Sequence, residues 1–189
     1  MYPIEEIRAR LGALPLRARA EFAVQCTGRA LDVVRQGTDE PVEDYPELLD
    51  ALALMRGFVQ TGAAPPDAEV RTAHAAVAAI LPTENGEPVP YDDALAAGLL
   101  PAEAVLQAID AVSGALDVLL DPDRSVRWAS MAGAAGVNAV TRTFERGYPL
   151  TDAETEWQRA LLAALEASGA PLADAVLASL PSPDWGDRA

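Results

Sequence analysis

An all-α fold, a single-domain bundle of seven to eight mostly antiparallel helices, is predicted by three features of the sequence. Half of the 189 residues are hydrophobic but only 5% are aromatic, and alanine and leucine dominate, a mixture that loses little on entering a helix. Apolar residues recur at spacings of three and four from end to end, with no alternating run of useful strand length. Prolines, glycines and short polar side chains then punctuate the chain at helix-length intervals. The length suits one domain burying roughly 70% of its unfolded surface. The boundaries expected are residues 1–180 for the helical domain and 181–189 for a frayed acidic tail.

Taken in order, the first helix is expected from near Pro3 to about Gly12 and the second from near Pro15 to Gly37. On the second, Ala20, Val24, Thr27, Leu31 and Val34 form a buried face, and Glu21, Gln25, Arg29, Asp32 and Gln36 form the opposite stripe. The acidic linker TDEPVEDYPE follows. Leu48, Leu52, Met55 and Val59 make the third seam, closed by Gly62. A fourth helix, about Asp67 to Leu81, aligns Val70, His74, Val77 and Leu81. The stretch Pro82–Leu100, with three prolines, is either an ordered surface loop or a mobile lid. Pro101 opens a helix with the seam Val105, Ile109, Val112, Leu116 and Leu119. Asp121 is placed to cap the next helix, with Pro122 in its first turn and Gly147 at its end. Thr151–Glu154 (TDAE) fits a capping box that opens a helix through Trp157, Leu161 and Leu165, and a last short helix follows Pro171.

The uncharged stretch WASMAGAAGVNAV, Trp128 to Val140, is the one place where a cofactor loop suggests itself. A dinucleotide loop needs a preceding strand and the G-x-G-x-x-G spacing, and Gly133 and Gly136 offer neither. Ala129, Ala132, Gly136 and Ala139 instead line one helical face, with Gly133 on the neighbouring one. Small side chains there let a second helix axis come close. The expectation is a packing surface and no cofactor.

Charge and rare residues narrow the chemistry. With 29 acidic against 14 basic side chains the net charge is −15, which disfavours nucleic acid and anionic lipid and favours a basic partner. All the cations are arginine, so lysine Schiff bases and P-loop lysines are excluded. Cys26 is the only cysteine, which rules out an intrachain disulfide and fits a reducing cytoplasm. The opening MYPIEEIRAR lacks a signal-peptide core, and the longest uncharged run, Trp128–Thr141, falls short of the about 20 residues a membrane span needs. A cytoplasmic protein with no membrane insertion is therefore expected.

His74, the only histidine, lies on an apolar seam, and Cys26 lies on a buried face; together they mark a possible small-molecule pocket under the Pro82–Leu100 stretch. No metal-binding spacing or nucleophile elbow occurs, so no catalytic set is assigned. Asp39, Glu40, Glu43, Asp44 and Glu47 cluster on the linker around Tyr45 and form a candidate landing site for a basic protein, with Tyr45 as an anchor. Arg8, Arg10, Arg17 and Arg19 make a basic strip near the N-terminus, expected to pair with the chain's own acids.

Two segments, IRARLGALPLRARAEFAVQCTGRALDVV and, in the second half, AVLQAIDAVSGALDVLLD through VNAVTRTFERGYPLTDAETEWQRALLAAL, resemble the YjaG-like family of helical bacterial proteins, to which no activity is assigned. In the first, Leu11, Leu14, Phe22, Ala23, Cys26 and Arg29 match the family's pattern, and Gly28 stands where the family usually has glutamate. In the second, Ala108, Ile109, Asp110, Thr151, Asp152 and Glu154 match its Ala-Ile-Asp helix and Thr-Asp-x-Glu turn. The resemblance covers about half of the chain and implies an all-helical bundle. The function expected is a non-enzymatic acidic interaction protein, in one version an immunity or antitoxin-like protein masking a basic toxin or nuclease. A small-molecule enzyme or sensor near His74 and a structural homodimer through the Gly136 face are the alternatives.

Overall fold

The computed structural model describes residues 3–39, 41–84, 87–89, 91–144 and 147–181, apart from the side chains of 88, 91, 95, 147 and 148. The N-terminal half contains α1 (Ile4–Gly12), α2 (Leu16–Gly37), α3 (Pro46–Thr61) and α4 (Asp67–Ala78), with a 3₁₀ turn at Val42–Asp44. A two-residue hairpin, β1 (Thr83–Glu84) against β2 (Glu87–Pro88), precedes α5 (Tyr91–Ala96). Then come α6 (Glu103–Leu120), a 3₁₀ turn at Pro122–Arg124, α7 (Ser125–Thr143), α8 (Gly147–Ser168) and α9 (Asp174–Ser179). The fold is all-α. The described residues hold nine α-helices rather than seven to eight, the extra one being α5 in the proline-containing stretch. Within that stretch the described residues form the paired strands β1 and β2 and the short helix α5, while Pro82, Val89 and 97–100 lie outside regular elements.

The core sits where α2, α6 and α7 meet, the three helices with the most extensive mutual contacts. Gly114 and Gly136 explain how they approach so closely. A Cβ on Gly114 of α6 would lie 3.2 Å from the Trp128 carbonyl oxygen of α7, and one on Gly136 of α7 would lie 3.3 Å from the Cys26 carbonyl oxygen of α2. Ala129, Ala132, Gly133, Gly136 and Ala139 are all buried in this packing. The face is filled from within the chain, so a second copy could use it only by displacing α2.

Helix ends follow local chemistry in places. Gly62 terminates α3 in the left-handed conformation (φ 74°), and Arg17 donates to the last-turn carbonyls of Val59 and Gln60, both at 2.6 Å. Arg19 likewise donates to the Leu11 and Gly12 carbonyls at the end of α1. The basic strip therefore divides: Arg8 and Arg10 pair with Glu5 and Glu166, while Arg17 and Arg19 cap helices.

Three expected boundaries are corrected. Asp121 makes no side-chain cap, because Pro122–Arg124 forms a 3₁₀ turn and α7 begins only at Ser125. Gly147 does not end α7, which stops at Thr143 where Phe144 turns extended; it begins α8. TDAE is consequently not a capping box but an internal turn of α8. Pro149 can occupy the first turn, where its missing N–H is not needed, so the helix starts before Thr151. The expected tail lies, from residue 182 onward, outside the described residues.

Candidate functional site

The acidic linker packs into the fold by Val42, which is buried, and by Tyr45, which is half-buried against the core. Asp39, Glu43 and Asp44 stand exposed around them, and Glu40 lies outside the described residues. Tyr45 is thus seated on the chain's own core rather than projecting as a free anchor. Glu43 also shares its charge with Arg35, at 3.7 Å.

Glu47 connects this turn to a second feature. It begins the rim of a groove of about 480 Å³ between α3 and α4. Asp50 of α3 and Glu69 of α4 are the other carboxylates there, over a floor that includes Leu54, Ala68 and Ala73. Small residues on α4 keep the two helices from filling the space between them. Such a groove offers apolar area to a partner's non-polar atoms and negative charge to its cations. Asp50 and Glu69 were not singled out from the sequence, because they belong to different helices and only the fold brings them to one rim.

His74 and Cys26 do not come together. His74 extends from α4 toward Asp117 of α6, with Nε2 3.5 Å from Oδ1. Cys26 is fully buried on α2, and burial first, then the negative charge of Glu154, pushes its thiol well above the usual range. That suppresses the thiolate a nucleophile needs. The Pro82–Leu100 stretch does cover a cavity of about 220 Å³, lined by Pro82, Val89, Leu100, Leu106 and Gln107 among others, but His74 does not line it. No group of three or more His, Cys, Asp or Glu side chains among the described residues could hold a metal ion. No described helix is long and apolar enough to cross a membrane.

The polar centre that sequence reasoning missed is inside the protein. Arg29 of α2 holds Glu154 of α8 through Nε at 2.8 and 3.0 Å and Nη2 at 2.7 Å. Its guanidinium lies 4.4 Å from the centre of the Trp157 ring. Gln158 hydrogen-bonds the same carboxylate and donates to the Gly133 carbonyl at 2.9 Å. Glu154 has no exposed surface at all. The stripe of α2 expected to face solvent is therefore partly interior: Glu21 is also buried.

These buried acids give a pH signature. Burial raises Glu154, Glu21 and Asp117 above ordinary carboxylates; Arg29 opposes it for Glu154, Gln25 for Glu21 and His74 for Asp117. A raised carboxyl contributes stability that is complete below its unfolded value, about 4, and is lost as pH rises through its folded value. Glu6 and Glu166 are held low by Arg159 and Arg10, so their contribution is lost only in stronger acid. Acidification from above the ordinary carboxylate range toward it should accordingly raise Tm, and more acid should lower it. Thermal melts across that range test this, and Glu21→Gln should flatten the rise. A Tm that falls steadily from neutral pH would contradict it.

Comparison with family models, with curated proteins and with solved structures finds no match to this chain.

Proposed function

We propose that this is a non-enzymatic interaction protein that docks a basic protein partner along the α3–α4 groove and the acidic turn before it. The observation that carries the reading is the sharing of Glu47 between the turn and the groove. It links the exposed carboxylates Glu43 and Asp44 of the preceding turn to Asp50 and Glu69 on the groove, over an apolar floor. Carboxylates around the floor steer a cationic partner and fix its register, while the floor supplies the desolvated contact. An immunity or antitoxin-like role, masking a basic toxin or nuclease, is the version the net charge of −15 suits best. A cytoplasmic location and a mostly antiparallel helix order belong to the same proposal; a single buried thiol and short interhelical turns support them. The likeness to YjaG-like proteins belongs with it too, since its two segments supply Arg29 and Glu154, which meet in the core.

The test separates the groove from the overall charge. An arginine-rich amphipathic peptide serves as the probe. Glu47→Arg, Asp50→Arg and Glu69→Arg together should slow its association and weaken its binding by about tenfold or more at low salt. The exposed residues Asp123, Asp152 and Asp174, changed to arginine in a second variant, alter net charge equally at other places. Equal losses in the two triple variants would mean that only net charge acts, and the groove reading would fail.

A further inference from the structure

Most of the arginines described so far are taken up in helix caps and ion pairs. Two of the ion-paired arginines, Arg29 and Arg35, converge with a third, Arg56, on a single cleft of about 230 Å³ between α2 and α3. Gln25, Gly28 and Asp32 share its lining, and Leu49 and Leu52 form an apolar wall. This concentration of guanidinium groups occurs in a chain whose net charge is −15.

Each arginine is held differently. Arg29 is fixed at the inner end by Glu154 and by stacking on Trp157. Arg35 is steered by Asp32 at 2.9 Å and more loosely by Glu43 at 3.7 Å. Arg56 is exposed and makes no ion pair with any described residue. Its Nη2 would lie 3.6 Å from a Cβ placed on Gly28, so the guanidinium lies over a bare stretch of α2 backbone. Two of the three charges are thus positioned by acids, and the third is left to meet a ligand. Arginine presents a planar fork of donors that matches carboxylate and phosphate oxygens.

We propose that the α2–α3 cleft binds a small organic anion through a phosphate or carboxylate head, with Arg56 and Arg35 as the direct ligands and Arg29 as a fixed charge behind them. The leucine wall accommodates a short carbon frame, and the volume excludes a macromolecule from the interior of the cleft. The site is distinct from the α3–α4 groove: it takes the opposite charge and shares no lining residue with it.

The experiment is an amide and guanidinium NMR titration of the whole protein with inorganic phosphate and, separately, with succinate, ionic strength being held constant with potassium chloride. Saturable shifts at Gly28, Arg35 and Arg56 are expected with at least one probe, and the responding probe identifies the head group. Arg56→Gln and Arg35→Gln should each raise Kd about tenfold, the cost of losing one charge-assisted contact. Arg127→Gln, an exposed arginine on α7, should leave it unchanged. All three substitutions are at exposed positions and should leave the fold intact. No saturable shift with either probe, or the same Kd in Arg56→Gln as in Arg127→Gln, would overturn the proposal.

Discussion

Arg29→Ala should cost about 3–5 kcal/mol of folding stability, the usual penalty for breaking a buried ion pair by removing one partner. The reason is the state of what remains. Glu154 has no exposed surface, and without Arg29 its carboxylate keeps only the Gln158 hydrogen bond. Trp157 also loses the guanidinium stacked 4.4 Å from its ring centre. For a chain of this length the loss corresponds to a fall in Tm of roughly 6–20 °C.

Two companion measurements separate charge burial from lost packing. The double variant Arg29→Met with Glu154→Leu removes both charges at similar volume and should recover most of the loss, since well-packed apolar replacements of buried pairs are often neutral or better. Arg29→Ala alone should regain stability as pH is lowered, because the stranded carboxyl is raised further and acid neutralises it. Urea titrations of the wild type, Arg29→Met, Glu154→Leu and the double variant complete a double-mutant cycle, with Arg29→Ala measured beside them. A loss under about 1 kcal/mol for Arg29→Ala would mean that water or relaxation already solvates Glu154, and the interior reading of the pair would fail.

The same pair shows where sequence reading succeeds and where it stops. The bounds of α2 and α3 were legible because they are local: Pro15 and Gly37 bracket one apolar seam, and Gly62 supplies the positive φ that ends another. Arg29 and Glu154 are 125 positions apart, and each looks ordinary where it stands. Arg29 falls on a polar stripe that hydropathy assigns to solvent. Glu154 completes a capping-box spelling that α8 overruns by starting earlier. An amphipathic pattern counts only hydrophobicity, so a stripe buried by mutual neutralisation is invisible to it. The groove was half legible for the same reason: the linker carboxylates are contiguous in sequence, whereas Asp50 and Glu69 meet only through the packing of α3 on α4. The short α5 was obscured by the prolines around it.

The second large effect concerns Gly136, where the same kind of substitution should have opposite signs at two sites. Gly57→Ala, in α3, adds a methyl group that meets nothing within 4 Å. It should stabilise by about 0.4–1 kcal/mol, because alanine restricts the unfolded chain more than glycine does and suits a helix better. Gly136→Leu should destabilise by about 3 kcal/mol or more, at the upper end for overpacking a filled core. Even its Cβ would press on the Cys26 carbonyl oxygen at 3.3 Å, and that neighbour is backbone, which cannot swing aside as a side chain could. The remaining carbons of leucine have no cavity to enter, since α7 is buried against α2 and α6 along this face. The chain must therefore separate α2 from α7, which loosens the packing around Arg29 and Glu154 as well. Thermal melts and light scattering read the outcome together. A large fall in Tm at unchanged mass is expected, because the small-residue face is satisfied within one chain. An unaltered Tm accompanied by the splitting of a dimer would instead place that face between two copies.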